Sequence, residues 1–504
     1  MGIAAGAKRA RQDAMNTVYE TDEIECGRAM SRPTRILLNI THGFQARMLL
    51  RSGISERLAR HARLIVVSPN ANEPYFSKEF SNPQICLEPT PQLVPTPVNK
   101  LFNRLEGELL GVRQYWLMSP ALGKTLNIKN ETFRRLHPYR WLVSRIGNQV
   151  FGRSPLFRQR WQHVERSCFP GREFDAVLTA HRPDLVVTGT PGVDPRDAHL
   201  VRAAHRHRIT TATVMLSWDN LTSKGYVSDW PNHLLVWSDL MAEEAIHYHG
   251  FPRGNIHWCG AAQFDHYSGF REAFDRDTWR KAHGVPTDAG LIVYGTINPA
   301  IMPHELEVVR EIVSAVRGKR FSRPVYLWIR LHPQIVKGVY ARSLEPYLQL
   351  GGPDVHVEVP PVQSGQLAWD LPKADSQHLA SLLAAADIVA TPCSTLVIDA
   401  ACVGTPSINV FFDGPNSVAQ EWSARRFEVY THYAKLIATG GIHNAYSLDD
   451  FIRLANRSLN GEISHTEGLR AIVEQQLNRL DGNAGARTAD MLLKLARQSE
   501  HESR

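Results

Sequence analysis

The sequence lacks every segment that would place the chain in or across a membrane. No apolar run among its 504 residues approaches the ~20 residues that a membrane-spanning helix needs. The first thirty residues contain no apolar core of a secretory signal. Gly6 occupies the position at which N-myristoylation needs serine or threonine. These absences argue against a secreted, membrane-spanning or myristoylated protein, and we expect a chain in the cytoplasm.

Cysteine is also scarce, and its spacing fits neither a disulfide framework nor a zinc site. The six cysteines form no Cys-x-x-Cys pair, and no Cys/His cluster has the spacing of a zinc finger. We expect free and mostly buried thiols, as in a reducing compartment. The cysteines are Cys26, Cys86, Cys168, Cys259, Cys393 and Cys402.

Acidic residues are rare in one part of the chain, which makes that part strongly basic. Between Lys100 and Arg166 there are thirteen basic and four acidic residues, a larger excess than the +7 of the whole chain. Aromatic residues are interleaved with these charges. Such a segment suits an anionic membrane surface or a phosphorylated lipid, and we expect no nucleic-acid partner. The alternative is a solvated helical insertion whose aromatic side chains pack on their own domain.

The rest of the chain alternates between short apolar runs and amphipathic stretches, as in parallel α/β sheets. Strand, helix and strand follow one another from Arg35 to Val67, and the alternation resumes at Asp184 after a proline-rich loop, 88–97, and the basic segment. A second series opens at Gly290. Two such series predict an α/β protein with two doubly wound sheets whose strand ends face one cleft, where open sheets bind ligands.

We divide the chain accordingly. Residues 1–30 are polar and lack periodicity, so they are expected to be disordered. The first domain is predicted at 31–265, with the basic helical insertion at about 98–170, and the second at 284–460. The end of the chain, 461–504, is predicted to be a helical tail.

The stretch with the clearest chemical signature lies in the second series, at 386–410. It predicts a strand, a tight turn, a helix that starts at Ser394 and Thr395, and a Gly-Thr-Pro turn before the next strand. Hydroxyl groups beside the unpaired N–H groups of a helix start favour a phosphate. Asp399 follows one helical turn later. The alternative is that Ser394 only caps the helix.

This stretch resembles the donor-binding element of GT-B glycosyltransferases, which has Ala-Asp before a strand, then Ser-Thr, an acid four residues later, and Gly-x-Pro. The segments Val293-Tyr-Gly-Thr296 and Leu327-Trp-Ile-Arg-Leu-His-Pro333 are similar to that family as well. The Arg-x-His-Pro part also resembles bacterial sialyl- and Kdo-transferases and CDP-glycerol glycerophosphotransferases. The resemblance covers roughly 35–70 and 175–480 and implies two facing Rossmann-like domains, the GT-B fold. It implies a nucleotide-sugar donor site with Thr296, Arg330, His332, Ser394, Thr395 and Asp399.

A dense polar cluster follows a predicted strand of the first domain, in Met215-Leu-Ser-Trp-Asp-Asn-Leu-Thr-Ser-Lys-Gly225. Its position after a strand places it in the expected cleft. Trp218 offers a ring that could stack on a sugar, and Asn220 and Lys224 offer polar contacts to an acceptor. The alternative is a hydrogen-bonded connection in which Asp219 caps a helix, although so many polar groups after a core strand are typical of a functional loop.

His42 follows the first strand, in Thr-His-Gly. In many inverting GT-B enzymes a histidine of this loop is the general base, so the resemblance implies that His42 deprotonates the acceptor hydroxyl. An imidazole pKa of about 6.5 suits this task. The alternative is a histidine that only lines the acceptor site, in which case Asp219, and after it Asp194, are the candidate bases.

Together these features predict an inverting glycosyltransferase that moves a sugar from a nucleotide sugar to a surface-polysaccharide or lipid-linked acceptor, at the inner face of the cell membrane. No Asp-x-Asp motif follows a strand at the cleft, so neither a metal nor a cofactor is expected. A polyol-phosphate transferase and an isomerase similar to UDP-N-acetylglucosamine 2-epimerase are alternatives. A non-catalytic glycan- or lipid-binding protein is a further one, although the complete set of donor-site residues argues against it.

Overall fold

The computed structural model describes residues 32–112, 116–152, 154–190, 194–227, 229–463 and 465–502. The predictions for residues 1–30, including the one for Cys26, lie outside these ranges. Within them no helix is long and apolar enough to cross a membrane. The five described cysteines are free thiols, as expected.

Two parallel sheets organise the chain. The first has seven strands in the order β3-β2-β1-β4-β5-β6-β7, and the second has six in the order β10-β9-β8-β11-β12-β13. The strands are β1 (Arg35–Asn39), β2 (Arg63–Ser68), β3 (Ile85–Pro89), β4 (Leu185–Thr188), β5 (Thr210–Val214), β6 (His233–Val236), β7 (Ile256–Trp258), β8 (Gly290–Gly295), β9 (Val325–Arg330), β10 (Val355–Glu358), β11 (Ile388–Thr391), β12 (Ser407–Val410) and β13 (Ile442–Ala445).

In each sheet the chain starts in the middle, extends to one edge, and then returns to build the other side. β1 therefore pairs with both β2 and β4, and β8 pairs with both β9 and β11. A crevice forms at the carboxyl ends of such a pair, the switch point of the sheet. This is the architecture of two Rossmann-like domains, the GT-B fold, and the predicted fold class is confirmed. We call each sheet with its helices the first and the second lobe.

Helices cover both faces of both sheets. They are α1 (Gly43–Gln45), α2 (Ile54–Ala59), α3 (Pro74–Glu79), α4 (Pro97–Asn103), α5 (Gly123–Leu136), α6 (Pro138–Gly147), α7 (Pro155–Cys168), α8 (Asp175–His181), α9 (Pro195–Arg206), α10 (Asn220–Ser223), α11 (Asp239–His249), α12 (Phe270–Ala273), α13 (Arg276–Ala282), α14 (Glu305–Arg317), α15 (Pro333–Val336), α16 (Leu344–Leu348), α17 (Lys373–Ala385), α18 (Leu396–Cys402), α19 (Thr431–Ile437), α20 (Leu448–Leu459), α21 (Thr466–Leu477) and α22 (Ala484–Glu502). Because helices lie on both faces, the central strands are continuous apolar runs rather than alternating ones.

The core of each lobe forms around its central strands. Ile36, Leu37 and Leu38 of β1 are completely buried, as are Leu291 and Val293 of β8. Burying one such side chain stabilises the fold by about 1.5–3 kcal/mol. The edge strand β3 was not predicted, because the proline-rich stretch was interpreted as a loop; its proline stands at the last position of an edge strand, where no ladder hydrogen bond is lost.

The last helix returns to the first lobe. Leu492, Leu493 and Leu495 of α22 are buried in the core around the first sheet, and Asp490 forms an ion pair with Arg57 at 2.7 Å. Within the predicted tail, α22 therefore completes the first lobe, whereas α21 packs in the core around the second sheet through Leu469, Ile472 and Leu477. The other predicted domain boundaries stay predictions.

The basic insertion is helical, as predicted, and consists mainly of α4 to α7 between β3 and β4. It also touches the second lobe, because the hydroxyl groups of Thr125 in α5 and Thr431 in α19 lie 2.8 Å apart. The side chain of Lys129 donates a hydrogen bond to the carbonyl of Ser223, in the loop after β5. The insertion thus lies against the polar cluster that was predicted to bind the acceptor.

Candidate functional site

The loop after β1 carries His42 and is held by a buried polar network. The side-chain oxygen of Gln45 accepts hydrogen bonds from the backbone N–H of Thr41 at 2.5 Å and from its hydroxyl at 2.8 Å. The amide nitrogen of Gln45 donates to Asp197 at 3.0 Å, and Asp197 also accepts from the backbone and hydroxyl of Thr190. The network joins the ends of β1 and β4 and so fixes the His42 loop at the switch point.

Asp197 makes the stability of the protein depend on pH. Burial raises the pKa of Asp197 to about 7, whereas the unfolded chain has about 3.9. Between these values the folded protein binds more protons than the unfolded one, so the free energy of unfolding should fall as pH rises, by up to about 1.4 kcal/mol per pH unit. Denaturant unfolding of Asp197→Asn should lack this part of the slope. The exposed control Asp288→Asn should keep it, and equal slopes in wild type and Asp197→Asn would contradict the prediction.

His42 is a neutral imidazole at neutral pH. Burial lowers the pKa of His42 to about 4, with opposing effects from Asp194 and Arg196. Its Nδ1 accepts a hydrogen bond from the backbone N–H of Phe44 at 3.3 Å, which leaves the ring hydrogen on Nε2. His42 therefore offers a hydrogen-bond donor at Nε2, and in this tautomer it can take a proton only at Nδ1, after the contact with Phe44 is lost.

The two competing carboxylates are already saturated with donors. Asp219 accepts hydrogen bonds from Ser217 at 2.7 Å and Ser223 at 2.8 Å and pairs with Lys224 at 2.9 Å. Burial alone would raise the pKa of Asp219, but the charge of Lys224 and these hydrogen bonds hold it well below its usual range. Such a group is a weak proton acceptor near pH 7.

Asp194 is in a similar situation. It forms an ion pair with Arg196 at 2.8 Å. Burial opposes the effect, but this contact lowers the pKa of Asp194 below its ordinary value. None of the three predicted base candidates therefore has a pKa near neutrality, and the base assignment stays a prediction.

In the second lobe the ends of β8 and β9 bring Thr296 and His332 together. The hydroxyl of Thr296 accepts a hydrogen bond from the backbone N–H of His332 at 2.7 Å. The Nδ1 atom of His332 accepts from the N–H of Gln334 at 3.2 Å, so Nε2 carries the ring hydrogen. Burial lowers the pKa of His332 to about 4. His332 is therefore a neutral donor at the switch point of the second sheet, where a phosphate was predicted.

Trp369 connects the histidines of the two lobes. Its ring meets His42 edge-on at 4.5 Å between centroids and His332 edge-on at 5.2 Å. Its backbone has φ = +57°, a left-handed conformation that costs a bulky residue energy and persists only where the surrounding contacts hold it. Gly43 packs directly on this backbone, since a Cβ atom there would lie 2.4 Å from the Trp369 carbonyl oxygen. Nothing in the sequence pattern singled out this tryptophan.

The segment that carries Trp369 is anchored in the first lobe, although it follows β10 of the second sheet. Asp370 is completely buried and accepts hydrogen bonds from Arg51 at 2.6 Å and from the hydroxyl of Tyr75 at 2.6 Å. Leu367 belongs to the core of the first lobe. These anchors hold the strained backbone of Trp369 and tie the two lobes together beside the histidines.

Ser394 and Thr395 stand directly before α18, and Asp399 lies within it; their contact with a phosphate stays a prediction. The hydroxyl of Ser394 accepts a hydrogen bond from the N–H of Leu396 at 3.2 Å, but the N-cap of α18 is Thr395, whose side chain makes no capping bond. Asp399 is buried, accepts from the hydroxyl of Tyr267 at 2.8 Å, and lies 4.0 Å from the guanidinium of Arg47. Burial raises the pKa of Asp399. The pair with Arg47 links the first lobe to the second.

A cavity of about 80 Å³ lies between the lobes and is lined by Arg47, Ser217, Gln263, Thr395 and Asp399, among others. The Nε atom of Arg47 and the side-chain oxygen of Gln263 are buried without a hydrogen-bond partner among the described residues, so both can bind a polar ligand. Sites for ligands of nucleotide size usually have roughly 300–1,000 Å³. Sequence reasoning missed Arg47, whose only signal is its place just after the Thr-His-Gly loop.

Arg330 is engaged inside the second lobe. Its guanidinium binds both oxygens of Asp375, at 2.7 and 2.8 Å, and also contacts Glu358. All three groups are largely buried. A contact to a donor phosphate would require a carboxylate to leave, so this placement favours a structural ion pair over the predicted phosphate contact.

The acceptor-side residues are less accessible than predicted. Trp218 is only 6% exposed, and its ring packs edge-on against His432 and Tyr433 at 4.9 and 5.7 Å. Because α19 of the second lobe covers the Trp218 ring, this packing argues against a sugar stacked on the face of that ring. Asn220 is buried as well. Lys224 is half-exposed and forms an ion pair with Asp219. Of the three predicted acceptor-binding residues, Lys224 is the one whose side chain reaches solvent.

One group of possible metal ligands occurs in the described part of the chain, away from the cleft. Cys86 and Glu88 lie on the edge strand β3, and His181 ends α8. The Nε2 atom of His181 lies 2.8 Å from Glu88, which is a hydrogen bond or ion pair that needs no ion. The absence of a metal from the reaction stays a prediction.

Comparison with known proteins finds relatives by structure alone. No family model and no curated protein matches the sequence. The UDP-GlcNAc 2-epimerase of Neisseria meningitidis, solved with UDP-GlcNAc, has a TM-score of 0.52 at 11% identity, over 92% of this chain and 100% of its own. The UDP-GlcNAc 2-epimerase of Methanocaldococcus jannaschii in complex with UDP-GlcNAc and UDP has a TM-score of 0.51 at 11% identity, over 92% and 100%. A glycosyltransferase of Rickettsia africae has a TM-score of 0.48 at 9% identity, over 93% and 99%. At these identities the likeness shows the fold.

Proposed function

We propose that this chain is a nucleotide-sugar-dependent glycosyltransferase whose donor binds between the lobes. One observation carries the proposal: His42 and His332, from the switch points of two opposed sheets, converge on the same tryptophan. Open α/β sheets bind ligands at these points. Both histidines present a neutral N–H donor, which suits phosphate or sugar oxygens.

In this proposal the protein stabilises the departing diphosphate with its own donors. His332 offers Nε2–H, and Arg47 offers a positive charge with an unpaired Nε atom. Thr395 lines the same cavity as Arg47. Fixed donors in a site that excludes water stabilise developing negative charge strongly. The proposed reaction needs no metal, and we expect it to continue in the presence of a chelator.

The proposed acceptor is a surface polysaccharide or a lipid-linked sugar, reached at the inner face of the cell membrane. The loop after β5 supports an acceptor site, because Asp219, Lys224 and Lys129 form a charged group beside the cleft. Burial and the neighbouring Lys224 lower the pKa of Lys129 to about 8. Lys129 belongs to the basic insertion. The proposed acceptor site therefore lies beside the segment that is proposed to face the membrane.

A 2-epimerase is the second candidate, because the solved structures with the highest likeness quoted above are UDP-GlcNAc 2-epimerases. The fold does not separate the two activities. An epimerase changes the sugar and needs no acceptor, whereas a transferase releases the nucleotide only when an acceptor hydroxyl attacks. A polyol-phosphate transferase would use a CDP-polyol donor, and a non-catalytic protein would bind without turnover.

The test is incubation with a panel of nucleotide sugars and CDP-glycerol, with and without a lipid extract as acceptor, followed by mass spectrometry of all products. Acceptor-dependent nucleotide release with a heavier acceptor supports the transferase. A new sugar epimer without an acceptor supports the epimerase and overturns the transferase. Binding without any product supports the non-catalytic alternative.

His332→Ala should weaken nucleotide-sugar binding. A charge-assisted contact to phosphate contributes about 1.5–3 kcal/mol, so the dissociation constant should rise by about 10- to 150-fold. Titration calorimetry measures it, with the exposed His247→Ala as the matched control. Unchanged affinity in a folded His332→Ala protein would remove His332 from the site.

A further inference from the structure

Exposed apolar side chains are concentrated in the basic insertion. Nineteen large apolar side chains are exposed among the described residues, and fourteen of them lie between positions 93 and 164. Scattered exposed apolar residues are normal on a protein surface, whereas a concentration of them marks an interaction site. The charge excess of the same segment therefore coincides with its apolar surface.

The apolar residues form a continuous stripe on α6 and the helical turn 148–152 that extends it. Tyr139, Leu142, Val143, Ile146 and Val150 are between 52% and 87% exposed. Their spacing of three, one, three and four residues places them on one side of a helix, within about 100° of arc. Within the part of the chain that the structure describes, no element covers this stripe.

The stripe faces outward because the opposite side of α6 is fixed to the protein. The indole nitrogen of Trp116 donates to the hydroxyl of Ser144 at 2.7 Å. Gly147 lies directly against the Trp116 ring, since a Cβ atom there would be 2.1 Å from it. The tryptophan thus packs inside, as the alternative interpretation expected, and leaves the aliphatic side exposed.

Exposed basic residues occur on α6 and on the other helices of the insertion. Arg145 is exposed and lies on α6 beside the stripe, about 60° around the helix from Leu142. Lys100, Lys124, Arg145 and Arg160 are exposed and form no ion pair with any described residue. By contrast, Arg134 and Arg135 pair with Glu131, and Arg166 pairs with Asp229. Only part of the basic excess is therefore available to an anionic partner.

We propose that the stripe of Tyr139, Leu142, Val143, Ile146 and Val150, with Lys100, Lys124, Arg145 and Arg160, binds the surface of an anionic lipid bilayer. An apolar helix side with flanking cations is the arrangement that lies in the interface of such a bilayer. Each cation near the surface contributes about a fivefold gain in affinity. This binding requires no nucleotide. Its test is therefore independent of the test of the proposed reaction.

The charge disfavours the simplest competing occupant, a second copy of the chain. A second copy of the chain in a two-fold interface would place the same surface against itself. The exposed Arg145 of both copies would then bring like charge into the same interface, and like charges destabilise such contacts. An anionic bilayer neutralises them instead and receives the aliphatic side chains in its acyl region.

The test is flotation of the full chain with vesicles of phosphatidylglycerol and phosphatidylcholine, compared with vesicles of phosphatidylcholine alone. Wild type should float with the anionic vesicles. It should dissociate from them at high salt, because salt screens the attraction between the basic side chains and the anionic lipids. Arg145→Gln with Arg160→Gln should weaken this binding by roughly 25-fold. Val143→Ser with Ile146→Ser should weaken it by at least about tenfold.

Matched variants outside the insertion serve as controls. Val339→Ser with Leu348→Ser removes exposed apolar groups, and Lys281→Gln with Arg342→Gln removes exposed charges. Both should float as wild type does, and all variants should keep the wild-type Tm. The proposal is overturned if wild type stays at the bottom of the gradient, or if the controls lose as much binding as the insertion variants. A dimer that Ile146→Ser converts to a monomer, without vesicle binding, would assign the stripe to a second copy.

Discussion

Replacement of His42 with alanine is expected to lower turnover by about 100- to 10,000-fold while nucleotide affinity stays nearly the same. His42 stands at the switch point of the first lobe, on a loop fixed by the Gln45 and Asp197 network. Its loss removes a group that acts on the acceptor hydroxyl or the reacting sugar, whereas the proposed phosphate contacts come from elsewhere. Steady-state kinetics with the active nucleotide sugar measures the effect, with His247→Ala as the control.

The hydrogen on Nε2 makes a second variant decisive for the role of His42. If His42 is the base, His42→Gln should be as inactive as His42→Ala, because an amide cannot accept the proton. If His42 acts as a donor at Nε2, His42→Gln should recover much of the turnover. Full activity in His42→Ala, with the loss found in Asp219→Asn instead, would contradict the assignment and make the carboxylate the base.

Replacement of Arg330 with alanine is expected to destabilise the protein by about 3–5 kcal/mol. Arg330 is the common partner of two buried carboxylates, Glu358 and Asp375, and removing it leaves their charge uncompensated, which is the costly way to break a buried ion pair. The free energy of unfolding in denaturant measures the loss. The exposed Arg310→Ala should change it by less than about 1 kcal/mol.

A compensated variant separates this structural role from phosphate binding. Arg330→Met combined with Glu358→Gln and Asp375→Asn removes all three charges and should recover most of the stability. If Arg330 is structural, the compensated variant binds nucleotide like wild type. If it binds nucleotide much more weakly despite normal stability, Arg330 contacts the donor as the sequence resemblance implied.

The central strands could be predicted from the sequence, whereas three of the four edge strands could not. β1, β8 and β9 are unbroken apolar runs because helices cover both of their faces. β3, β10 and β13 stand at sheet edges and are only partly buried, so their sequences carry polar residues and short lengths that do not signal a strand. The packing of α22 on the first lobe could not be predicted either, because the pattern of an amphipathic helix does not specify which core it covers.

The candidate site shows the same division. Thr296, His332 and Ser394 could be found because each follows a strand in a local motif. Trp369 could not be found in this way. Its position depends on contacts with both lobes and on a left-handed backbone conformation that the sequence does not predict. Trp218 was interpreted as a stacking residue, yet α19 from the other lobe covers it. The contacts between the two lobes therefore could not be predicted from the sequence.

The most direct test of the account is a thermal-shift measurement with UDP, CMP, CDP, GDP and TDP. The account predicts that at least one nucleotide raises the Tm of wild type, because a ligand at 100 times its dissociation constant adds about 2.7 kcal/mol to the free energy of unfolding. The same nucleotide should raise the Tm of His332→Ala much less. If none of the five shifts the Tm of wild type at millimolar concentration, the cleft is not a nucleotide site and the proposed function is wrong.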